Sequence, residues 1–134
     1  MPISTRWYDD DHKVIFFEFE GNWTWEEFKQ AQDIQTELAS SVSHDVIALL
    51  DLSRTNSLPK GNVLALGRST FNNVPENLSL LILINQSRLI EVFAEIIIKM
   101  MPTWRNRMRM VKTIAEAQQV VDAAVKANTA NNRR

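Results

Sequence analysis

From Asp45 to Leu50 five of six residues are apolar, and the carboxylate of Asp51 and the hydroxyl of Ser53 follow at once. An antiparallel strand with one wet face would alternate, whereas a run apolar on both faces suits a parallel strand covered by helices on both sides. Open α/β sheets place function in the loops at the carboxyl ends of their strands, so Asp51 and Ser53 are the first candidate site residues. The run at 78–84, Leu-Ser-Leu-Leu-Ile-Leu-Ile, has the same character and ends in Asn85-Gln-Ser87.

The 134 residues, 45% of them hydrophobic, suit one domain with a substantial core. That domain is expected over 1–127, with a disordered tail over 128–134 rich in Asn and Arg. Fifteen basic residues against sixteen acidic ones leave a formal charge of −1, which argues against a nucleic-acid partner. Cysteine is absent, which removes disulfides, thiolate nucleophiles and Cys-ligated metals. No apolar run approaches the roughly 20 residues of a membrane span, and the first residues lack a basic-then-apolar signal. The expectation is a cytoplasmic protein without a membrane span.

Around the central strand the chain parses into alternating elements. Residues 3–21 predict a β-hairpin turning at Asp9-Asp10-Asp11-His12 and closed by Gly21. Thr24-Trp-Glu-Glu27 is a capping box opening a helix over 25–40, whose inner stripe runs Trp25, Phe28, Ala31, Ile34 or Gln35, and Leu38. A second helix is expected at 62–72, where Gly67 suggests close approach to another backbone. A third spans 88–101. Met108-Arg-Met-Val-Lys112 alternates as a strand with its methionines inward, and Thr113-Ile-Ala-Glu116 caps a last helix over 114–127. The fold class is therefore α/β: a single mixed sheet with an N-terminal β-hairpin, then helix–strand units in the order ββαβαβαβα.

The helix at 88–101 carries more apolar residues than one packing face uses. A surface helix has an apolar stripe about 100° wide, and this one is apolar round most of its circumference. Ile90, Phe93, Ile97 and Met101 can serve the sheet, Val92 and Ile96 project to the flank, and Ile98 falls nearer the opposite side. The excess predicts a two-fold homodimer through Val92 and Ile96, or else a cavity for an apolar ligand.

Chemistry-bearing patterns are sparse. The acidic run at 9–11 lacks the spacing and glycine of a calcium loop and is expected as a solvated turn, so no metal is assigned. His12 and His44 are expected to be exposed and kept apart by the sheet. The chain carries no P-loop, GxGxxG or GxSxG, so no catalytic residue and no cofactor is assigned. Trp104-Arg105-Asn106-Arg107, with Arg109 and Lys112, is the basic cluster, able to grip an anionic head group or an acidic patch. Ser57 and Lys60 lie in the turn-rich loop after the central strand.

In this order of elements the chain resembles the STAS and SpoIIAA-like group, the fold of anti-sigma-factor antagonists, over nearly its whole length. The residues that carry the resemblance are Gly21, Leu50-Asp51-Leu52-Ser53, the strand at 80–84 and the closing Val-Lys-Thr-Ile-Ala-Glu-Ala at 111–117. The resemblance implies a non-catalytic interaction or regulatory module that binds a protein partner through Asp51, Ser53, Ser57 and Lys60, with Trp104 and Arg105 as a second contact. Since the same fold takes in CRAL-TRIO-type lipid carriers, it also implies an alternative, a carrier or sensor of an apolar or amphiphilic ligand. The phosphoacceptor serine of the antagonists has no counterpart: Lys60 and Gly61 hold the corresponding places, with Ser57 upstream.

Overall fold

The computed structural model describes residues 2–55, 58–61, 65, 66, 69 and 74–132, with side chains described as far as residue 127. The helix expected at 62–72 falls largely outside the described residues, as do Ser57 and Gly67. The described elements are β1 (Ile3–Trp7), β2 (Val14–Glu20), α1 (Trp25–Ser40), β3 (Val46–Arg54), β4 (Leu78–Ile84), α2 (Arg88–Met100), a 3-10 turn (Pro102–Trp104), β5 (Met108–Val111) and α3 (Ile114–Asn132). The last helix runs past Ala127, where its apolar spacing stops.

One five-stranded mixed sheet results, in the order β1-β2-β3-β4-β5. Its first pair is antiparallel and all the others are parallel. The hairpin turn is closed by Asp9, whose Oδ1 accepts the N–H groups of Lys13 and Val14 at 3.0 Å each. The acidic run is thus turn chemistry. Gly21 takes φ +66, the left-handed region that glycine enters without cost, and donates its N–H to the Arg54 carbonyl.

Strand β3 is apolar on both faces because two cores use it. Val46, Ala48, Leu50 and Leu52 face a layer with Phe28 and Ala31 of α1 and Ile90 and Ala94 of α2. Ile47 and Leu49 face Ala117 and Val121 of α3. Every parallel connection steps the same way along the sheet, so right-handed crossovers put α1 and α2 on one face. Among the described residues only α3, which follows the last strand, covers the other. Among the described strands the order never reverses, so no crevice of the kind a reversal opens at the carboxyl edge is formed by them.

Helix packing settles one residue assignment and corrects another. In α1 the buried residues are Phe28, Ala31, Gln35 and Ala39, while Ile34 is 40% exposed. The spacing of three, four and four from Phe28 selects Gln35, and Ile34 sits about 100° away. In α2, Ile98 is packed against the core, not opposite it, because it lies one turn beyond the buried Ala94.

Both threonine caps form, with different geometry. Thr24 Oγ1 accepts the Glu27 N–H at 3.1 Å, and Glu27 Oε1 accepts the Thr24 N–H at 3.0 Å, a complete box. Thr113 Oγ1 accepts the Glu116 N–H at 3.2 Å, but the Glu116 carboxylate meets the threonine hydroxyl, not its backbone. Thr24→Ala should therefore lower stability by about 1 kcal/mol, read as a shift in urea midpoint at constant slope. No shift beyond error would mean water replaces the box.

Candidate functional site

At the carboxyl edge of the sheet the polar groups are turned onto their own loops. Asp51 is half-buried, and its Oδ1 accepts both the N–H of Ser53 at 3.0 Å and its hydroxyl at 2.6 Å. The next strand ends the same way: Asn85, 4% exposed, accepts the Ser87 N–H at 2.7 Å and donates to the Ser87 carbonyl at 3.1 Å. These are local Asx-type closures, which hold the loops after β3 and β4 in shape. Lys60 is exposed beside Gly61, which has φ +122.

Trp104 and Arg105 lie at the other edge. They precede β5, whose four residues span about 13 Å, whereas Asp51 and Ser53 end β3, which runs parallel to it. The two contacts expected from the sequence therefore lie at opposite ends of the sheet. Trp104 is only 3% exposed and belongs to the core. The Arg107 guanidinium stacks 4.8 Å from its ring centre and donates to the Leu78 carbonyl. Arg105 remains exposed, and Lys112 sits a strand's length away at the far end of β5. The histidines also share this edge, since His12 precedes β2 and His44 precedes the adjacent β3. They are not kept apart by the sheet: His12 stacks on Trp7 with ring centres 4.6 Å apart, and His44 Nδ1 lies 2.9 Å from the Asp45 carbonyl. Among the described residues no group of three or more acidic or histidine side chains is placed to hold a metal ion.

On α2 the exposed apolar residues form one continuous stripe. Leu89 is 55% exposed, Val92 and Ile96 36% each, and Met100 40%. Spacings of three, four and four put them on one flank, about a third of a turn round from the buried Ile90, Ala94 and Ile97. Arg88 and Glu91 form an ion pair of 3.0 Å on the opposite, polar flank. Among the described residues no helix is long and apolar enough to cross a membrane.

A third region was not singled out by any motif. Trp25, at the first turn of α1, lines two cavities. The inner one, about 40 Å³, is walled by Trp23, Trp25, Phe28, Leu52, Ile90 and Phe93, between the two helices and the sheet. The outer one, about 280 Å³, is lined by Trp25, Lys29, Gln32, Asp33, Thr36 and Ser69. The aromatic rings hold one another edge to face, with Trp23 5.2 Å from Trp25 and 5.5 Å from Phe28. The indole N–H groups of Trp23 and Trp25 are both buried without an acceptor among the described residues. The legible signal was the row Lys29, Asp33 and Thr36 beside Trp25, which follows helical spacing but passes for an ordinary solvated face.

No family model, no curated protein and no solved structure matches this chain.

Proposed function

We propose that this chain is a non-catalytic, STAS/SpoIIAA-like interaction or regulatory module of the bacterial cytoplasm, binding a protein partner through the outer flank of α2. The observation that carries this reading is the stripe of Leu89, Val92, Ile96 and Met100, apolar side chains left in water on an otherwise well-packed helix. Contiguous apolar surface of this kind marks interaction sites, whereas apolar residues scattered singly do not.

The same flank supports self-association. Burying the exposed part of each side chain recovers on the order of 1 kcal/mol, so two copies together offer about 8 kcal/mol at full burial. Association costs about 4–15 kcal/mol, which makes the homodimer weak and concentration-dependent. Sedimentation equilibrium should show a dimer population growing above tens of micromolar. Val92→Glu combined with Ile96→Lys should give a monomer with unchanged melting temperature, because both sites face solvent in the isolated subunit. The same double change should release any partner cross-linked to the unmodified protein. A protein that stays monomeric at every concentration, and whose cross-linked partners are indifferent to the double change, would remove α2 from this role.

A further inference from the structure

The segment from Pro102 to Thr113 carries four cations, Arg105, Arg107, Arg109 and Lys112, and no carboxylate. None of the four forms an ion pair among the described residues. The fold strings them along one edge of the sheet, since β5 is its last strand. Arg105 precedes β5, Arg109 lies within it and Lys112 follows it, each of them exposed, while Arg107 is engaged with Trp104 and the Leu78 carbonyl. Leu81 and Asn85 donate to the carbonyls of Arg107 and Val111. The odd-numbered residues of β5 therefore face β4, and the N–H and C=O groups of Met108 and Met110 face away from it. The side chains of these methionines pack with the core, so what they present at the edge is backbone. Side chains stand in for a neighbouring strand: Arg109 Nη1 donates to the Met108 carbonyl at 3.1 Å, and Gln86 Nε2 donates to the Lys112 carbonyl at 3.1 Å. At the opposite edge α1 packs more closely on β1 than on any other strand, a helix cover of the kind that protects an edge.

We propose that the outer edge of β5 binds an acidic, extended peptide segment as a further strand of the sheet. Backbone hydrogen bonds to Met108 and Met110 hold the added strand, and its carboxylates meet Arg105, Arg109 and Lys112. On binding, an N–H of the peptide replaces Arg109 at the Met108 carbonyl and frees that guanidinium for a carboxylate. The same cations exclude a second copy of this chain, because pairing β5 with β5 sets like charges beside one another. A nucleic acid would use the charges and leave the strand-forming groups of the edge unpaired. This surface is separate from the outer flank of α2, and its failure would leave the reading of that flank untouched.

The probe is an acetylated and amidated hexapeptide of alternating glutamate and valine. Its controls are the lysine–valine counterpart, the acidic peptide N-methylated at every residue, and a short oligothymidylate. In amide spectra of the ¹⁵N-labelled chain the acidic peptide should move the Met108 and Met110 signals saturably, with a Kd of about 0.1–1 mM, and slow their exchange with solvent. The N-methylated peptide keeps the charge but cannot donate, and should bind about tenfold more weakly. The lysine peptide should not bind. Arg105→Glu with Arg109→Glu, both exposed, should leave the amide signals of β2 and β3 in place, weaken the acidic peptide about tenfold and admit the lysine peptide. Lys112→Glu alone should weaken the acidic peptide about threefold. No movement of the Met108 and Met110 signals at peptide concentrations up to about 10 mM overturns the proposal. So does equal binding of the N-methylated peptide, which would leave a charged patch without a strand. Tighter binding of the oligothymidylate would overturn it in favour of nucleic acid, and movement of the same signals with protein concentration alone would overturn it in favour of a second copy.

Discussion

Truncating Phe19 to alanine should lower the free energy of unfolding by about 3–5 kcal/mol, the range for an aromatic ring removed from a packed core. Phe19 is fully buried, and its ring lies 5.1 Å from Trp23 and 5.5 Å from Phe28 in edge-to-face contacts. It also pairs with Ile3 across the hairpin, so its loss loosens β1, β2 and the start of α1 together. Domains of this size are stable by about 5–15 kcal/mol, so such a loss is a large fraction of the total. Urea unfolding followed by tryptophan fluorescence measures it. A loss under about 1 kcal/mol would mean that the rings around the inner slot close over the gap, and that the slot is softer than its packing implies.

Trp104→Ala should cost a comparable amount, about 3–5 kcal/mol, while Arg105→Ala next to it should change stability by no more than about 0.5 kcal/mol. The difference follows from burial: Trp104 is 3% exposed, and Arg107 both stacks on it and reaches the Leu78 carbonyl, whereas Arg105 points into solvent. The indole ties the 3-10 turn and the entry to β5 onto the start of β4. Were Trp104 a surface platform for a ligand, its removal would alter binding and leave the melting temperature alone. Equal, small effects of the two substitutions would restore it to a binding role.

Much of the fold was legible along the chain because local rules and burial agree there. Each described strand and helix begins where turn chemistry or a threonine cap says it should, and the double-sided apolar run of β3 announces its two covering layers. Helix faces were legible to within one residue: the spacing admitted Ile34 or Gln35, and packing chose Gln35. The exposed flank at Val92 and Ile96 was legible too, since a helix apolar over most of its surface must leave some of it in water.

The candidate sites fared differently. Asp51 with Ser53 and Trp104 with Arg105 are separate contacts along the chain, and only parallel pairing shows that the two lie at opposite edges. Proximity in a sheet depends on strand direction and order, which no spacing of residues encodes. Trp25 illustrates the same limit from the other side: helical periodicity puts it on the apolar face of α1, and only the approach of Phe93 from α2, 6.2 Å away, makes it a wall between two cavities. Periodicity and caps are properties of one segment, so the chain specifies them directly. A cavity is the space left between segments far apart in the chain, and it exists only once their packing is complete.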